Sequence, residues 1–127
     1  MLISMIKVNT ERIMMIANNI IDKKASCNPQ LGKNIAKLGK DLYSVNLMFK
    51  IESKEEEPFP YNIELVIKGV FKLEECDEEK IDEFLNINAI QILFPYLRST
   101  LSSVMAAAMI PPIILPVIDA RTIFQEA

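Results

Sequence analysis

Residues 61–73 read YNIELVIKGVFKL, and their alternation decides what kind of molecule the chain can build. Tyr61, Ile63, Leu65, Ile67, Phe71 and Leu73 fall on one face, with Gly69 among them. Asn62, Glu64, Lys68 and Lys72 fall on the other, joined by Val66 and Val70. Successive side chains of a strand point to opposite faces, so this pattern predicts a half-buried antiparallel strand. The preceding DLYSVNLMFKIES (residues 41–53) repeats it, with Tyr43, Val45, Leu47, Phe49 and Ile51 inward. Between the two lies the charged, proline-bearing stretch from Lys54 to Pro60, which suits a hairpin loop.

Towards the N-terminus, Leu2 to Ile16 is rich in Ile, Met and Val but does not alternate cleanly. A strand with a bulge near Asn9–Arg12 accounts for the slip, because one extra residue moves the apolar set to the other face. Residues 17–40 carry Asn-Pro and two lysine-flanked glycines, and by propensity form a loop with at most a turn of helix. A short edge strand around Gln30–Ala36 is the alternative, its lysines guarding the edge.

Towards the C-terminus, Glu78 to Leu85 reads as a short acidic helix, with the carboxylates around Glu74–Glu79 placed favourably for its dipole. Asn88 then offers an N-cap for a longer helix. Ile90, Leu93, Phe94, Leu97, Leu101, Val104, Met105 and Ala108 follow helical spacing, up to the break expected at Pro111-Pro112. Residues 99–118, STLSSVMAAAMIPPIILPVI, hold no charge, and about 20 apolar residues is what a bilayer crossing needs. Pro111, Pro112 and Pro116 would leave backbone groups unsatisfied in lipid, so the run reads as core or interface and not as membrane insertion.

The 127 residues fit one domain, 1–127. There is no histidine, which removes the commonest general base and metal ligand together. Three glycines leave no phosphate-cradling loop. Cys27 and Cys76 lack disulfide or zinc spacing, so no metal or cofactor is expected and a reduced cytoplasmic setting is the simplest reading. The start, MLISMIKVN, has no basic leader or long apolar run, so no signal peptide is expected. Ser99, Ser102 and Ser103 sit on a helix without a nucleophile elbow, and the carboxylates have surface character, so the chain does not read as an enzyme. Charge is segregated: residues 1–51 carry a net +5 and residues 52–83 a net −8. The lysines are too scattered for nucleic acid, while the acidic middle suggests a basic partner.

The string Ile92-Leu-Phe-Pro-Tyr-Leu-Arg98, followed by a helix, a proline break and Ile-Leu-Pro-Val-Ile-Asp119, closely resembles the SecB export chaperone family. Asp41-Leu-Tyr-Ser-Val-Asn-Leu47 and Ile67-Lys-Gly-Val-Phe71 resemble its D-x-Y-x-V-x-L and G-x-F strands. The resemblance implies an α+β fold: a four-stranded antiparallel sheet, one long helix and a short C-terminal helix. It implies a cytoplasmic holdase that binds unfolded preproteins in apolar grooves, assembled as a homotetramer (a dimer of dimers), and handing clients to SecA. The chain looks like a short form without the family's acidic C-terminal tail, which puts delivery to SecA in question.

Site expectations follow. Ile123 and Phe124 match the family's final helix as a groove lid, and with Val117 and Ile118 they form an apolar cluster that packing on the sheet would equally explain. Leu31 and Ile35, if on a second strand, would face the same groove. Glu55, Glu56 and Glu57 align with an acidic hairpin that the family turns toward SecA, although such a run is often a solvated tip. Seven methionines suit an adaptable binding surface as well as core filling. A chaperone dedicated to one partner, such as a toxin–antitoxin antitoxin, and a structural oligomer that uses all its apolar surface in assembly remain open.

Overall fold

The computed structural model describes residues 1–18, 29–56 and 58–111. The expected C-terminal helix, Cys27, Glu57, Val117, Ile118, Ile123 and Phe124 lie outside the described residues. Four strands, β1 (Leu2–Ala17), β2 (Gln30–Gly39), β3 (Leu42–Ile51) and β4 (Tyr61–Glu74), form one antiparallel sheet in the order β1-β4-β3-β2. Then come α1 (Glu78–Glu83), a π-helical turn (Phe84–Asn88) and α2 (Ala89–Ala107). This is the expected α+β layout.

The β3–β4 hairpin forms the centre of the sheet. Val45, Leu47, Phe49, Ile51, Ile63, Leu65, Ile67, Phe71 and Leu73 are buried between it and the helical segment. In register on that face, Val8, Gly69, Val45 and Ile35 form one row across all four strands. β1 keeps this register through two irregularities, between Met5 and Lys7 and between Thr10 and Arg12. The second is the bulge expected from the broken alternation; the first lies outside the expected span. β2 runs further than the expected edge strand, to Gly39, because pairing along β3 outweighs the turn propensity of its glycines and lysines.

The expected N-cap at Asn88 is not made. Asn88 is helical (φ −68°, ψ −42°) and its side chain makes no cap bond. The helix runs continuously from Glu78, with Asp77 as the true N-cap accepting from the Lys80 N–H at 2.9 Å. The π turn, closed by the Ala89 N–H on the Phe84 carbonyl, inserts one residue. Residues five apart, Phe84 with Ala89 and Leu85 with Ile90, thereby share the buried face.

α2 ends ahead of the prolines. The Met109 N–H donates to the Ala106 carbonyl (3.0 Å) and the Ile110 N–H to the Met105 carbonyl (3.1 Å), with Met109 at φ 60°. That is a Schellman stop with methionine where glycine is usual. Met109 is 91% exposed, so among the described residues little packing offsets the left-handed strain. Met109→Gly should therefore raise stability by about 1 kcal/mol, read as a melting temperature a few degrees higher at fixed protein concentration.

Candidate binding surfaces

α2 lies across β3 and β4 through Ile90, Leu93, Phe94, Leu97, Leu101 and Met105, all buried. It comes closest at Gly69, where a Cβ would stand 2.8 Å from Leu93 Cδ2 and 2.8 Å from Phe71 Cε2. With the helix centred on the hairpin, apolar side chains on both flanks of the sheet stay partly open.

On the β2 flank, Leu31 and Ile35 pair with Phe49 and Val45 and so point to the helix side, half-buried against the core. The structure brings Ile35 together with residues that sequence reasoning missed. Ile35 and Tyr43 form the floor of a groove of about 290 Å³ whose far wall is Ile81 and Leu85. Lys37, Glu78 and Asp82 complete its lining. The Lys37 ammonium stands 5.9 Å from the Tyr43 ring centroid, a cation–π contact across the lip. Leu31 lies in a separate hollow with Gln30, Gly32, Met48, Phe49, Lys50 and Glu64. No spacing rule links a β3 tyrosine to a helix nearly forty residues on; only the fold brings them together.

On the β1 flank, Ile3 and Met5 are about two-fifths exposed and Ile13 is 56% exposed. Leu2, Ile6 and Ile16 add further open apolar surface on the same strand. The outward side of α2 is uncharged and mostly small, with Ser99, Ser102, Ser103, Ala106 and Ala107 exposed beside Ile92 and Tyr96. The sheet face away from the helices differs in kind. There Arg12 meets Glu64 (3.6 Å) and Lys68 meets Glu11 (3.7 Å) across strands, and Lys72 meets Glu74 (3.7 Å) along β4, a solvated surface of ion pairs.

The loop between β3 and β4 carries Glu55 and Glu56, both exposed. Its base is tied to the end of β1. The Ser53 N–H donates to Asn62 Oδ1 (2.9 Å), the Phe59 N–H to Ser53 Oγ (3.0 Å), and the Asn18 N–H to the Pro60 carbonyl (2.7 Å). Among the described residues, no helix is long and apolar enough to cross a membrane, and no acidic or cysteine cluster of three or more converges as a metal site requires.

These surfaces have counterparts among known proteins. The family described as preprotein translocase subunit SecB matches residues 4–127. Protein-export protein SecB of Anaplasma marginale (strain Florida) is 36% identical over 112 residues, 87% of this chain and 62% of its own length. Protein-export protein SecB of Zymomonas mobilis is 30% identical over 89 residues, 70% of this chain and 54% of its own length. The chain thus spans between half and two-thirds of the length of these relatives. Among solved structures, the SecB-like chaperone Rv1957 of Mycobacterium tuberculosis, in complex with a ChAD peptide from the Rv1956 HigA1 antitoxin, superposes with a TM-score of 0.71. That match covers 92% of this chain and 91% of the other at 13% identity, so what the two share is the fold. SecB is a chaperone family and not an enzyme family. With its family match running from the first strand to the last residue, and its sheet and helix laid out as in a SecB-like chaperone, this chain belongs to the SecB family.

Proposed function

We propose that the protein is an export chaperone of the holdase type, which keeps unfolded preproteins from aggregating by binding them on apolar surface. The observation that carries this reading is the groove floored by Ile35 and Tyr43 and walled by Ile81 and Leu85. Unfolded clients have apolar side chains and backbone in common, so a holdase needs an open greasy channel tolerant of many shapes. The test is whether the purified protein suppresses aggregation of an unrelated unfolded protein at stoichiometric amounts. Failure there, with retained binding of one dedicated partner, favours the antitoxin-type reading; failure with no client at all favours a structural oligomer.

The assembled form proposed is a homotetramer, a dimer of dimers. The open apolar residues of β1 and the small, uncharged outer side of α2 support it, being two separate surfaces that a second copy can cover. Ile123 and Phe124, with Val117 and Ile118, are proposed as a lid over the groove. The double change Ile123→Ser, Phe124→Ser should then lower client affinity while leaving melting temperature and oligomeric state nearly intact. A buried Phe→Ala change costs about 3–5 kcal/mol, so a large fall in stability would place these side chains in the core.

Glu55, Glu56 and Glu57 are proposed to dock a basic partner, SecA in the export reading. Reversing all three to lysine should weaken SecA binding by roughly tenfold at low salt, less at high salt, with folding intact. Binding that does not change at low salt would make the run a solvated tip.

A further inference from the structure

We infer that Lys37 is a specificity-determining residue of the groove: it supplies the groove's own cation, so that clients are not selected for positive charge. The inference rests on the reading that unfolded clients bind in this groove. Without Lys37 the groove would favour cations. Its floor includes the Tyr43 ring, and its lining includes Glu78 and Asp82, both exposed. An aromatic face and a carboxylate each attract an ammonium or guanidinium group. Among the described residues neither carboxylate forms an ion pair, so both remain available to a cation in the groove.

Lys37 takes that position from within the chain. On β2 it is paired directly with Tyr43 of β3 and, like Ile35, points to the helix side of the sheet. Directly opposed residues of an antiparallel pair have Cβ atoms about 5 Å apart, so the strand pairing itself delivers the lysine to the ring. The ammonium stands 5.9 Å from the ring centroid, within the ~6 Å reach of a cation–π contact. It shares the groove with both carboxylates. A volume of about 290 Å³ equals a sphere about 8 Å across, less than the ~10 Å screening length at 0.1 M salt. A cationic client side chain must therefore displace one cation from Tyr43 to place another, and it meets the Lys37 charge as it does so. A neutral apolar side chain settles on Ile35, Ile81 and Leu85 without that exchange. Guarding the edge of the sheet would need only a charge on β2, not an ammonium held over the ring.

The test compares two short peptides of leucine, phenylalanine and serine, identical except at one central residue: arginine, or its uncharged isostere citrulline. Binding to the full chain is measured by fluorescence anisotropy at low salt, and the quantity read is the citrulline Kd divided by the arginine Kd. The parent should give a ratio near one. Lys37→Gln should raise it roughly threefold, the gain shrinking at high salt, whereas Lys37→Arg keeps the charge and should not. Adding Tyr43→Leu to Lys37→Gln should lower the ratio again, because the ring that receives the guanidinium is gone. The proposal is overturned if Lys37→Gln leaves the ratio where the parent has it, or if the parent already prefers arginine threefold. If neither the parent nor Lys37→Gln binds either peptide, the groove reading itself has failed, and the role of Lys37 falls with it.

Discussion

Gly69→Val should destabilise the protein by about 3 kcal/mol or more, and the second change Leu93→Ala, made on top of it, should add far less than it costs alone. Gly69 has no positive φ, so it is not glycine for the sake of its backbone. It is glycine for the space above it, where a Cβ would come within 2.8 Å of Leu93 Cδ2 and of the Phe71 ring. Both neighbours are fully buried and Phe71 is braced edge-on against Phe84, centroids 5.4 Å apart, so neither can step aside freely. Gly69→Ala alone should cost about 1–3 kcal/mol by overpacking. Leu93→Ala alone should cost about 2–5 kcal/mol by opening a cavity. Valine adds three carbons where Leu93→Ala removes three, at the same point of the helix–sheet contact. The double variant should therefore be far more stable than the sum of the single changes predicts, with a coupling of about 2–3 kcal/mol in a denaturation cycle. Additive losses would mean that α2 does not meet the sheet through this pair.

That contact also marks what was legible beforehand. The β3–β4 hairpin could be read because each strand buries one face and exposes the other, which writes burial into every second residue. The β1 bulge could be read because it breaks that rule at a definite place. The α+β arrangement followed, and Gly69 stood within the buried face of the strand. The continuity of the helix through Asn88 could not be read, because Asn88 has good capping chemistry and the π turn is settled only by packing Phe84 and Leu85 beside Ala89 and Ile90. β2 was ambiguous for a related reason: its partner, not its composition, makes it a strand. The hydrogen-bonded junction at Asn62 was invisible, since asparagine and serine at a hairpin base are ordinary turn residues until Asn18, at the end of β1, arrives beside them. Pattern exposes surfaces repeated along the chain, whereas a polar junction or a groove floor depends on residues that only the fold brings together.

The second large effect concerns assembly. Ile3→Glu with Ile13→Glu should reduce the particle mass by half or more in light scattering, without loss of the monomer's circular dichroism. β1 offers two opposed signals. Its bulges and the Lys7 and Arg12 side chains are devices that discourage edge pairing. Against them stand Leu2, Ile3, Met5, Ile6, Ile13 and Ile16, all at least two-fifths exposed along one strand. A small domain rarely leaves so many large apolar side chains of one edge strand to water, and at roughly 25 cal/mol per Å² covering them outweighs the modest cost of a bulged edge. Within a single chain Ile3 and Ile13 are already half in water, so glutamate there costs the monomer little. In an assembly that buries them, each carboxylate would lose its water without a partner, a penalty of several kcal/mol per ion and enough to dissociate a contact of moderate size. A parent protein that is already monomeric at micromolar concentration would mean that the bulges and charges of β1 prevail over its apolar side chains. An oligomeric parent whose size is unaffected by the two glutamates would move the contact to the outer side of α2, where Tyr96→Arg becomes the variant that should break it.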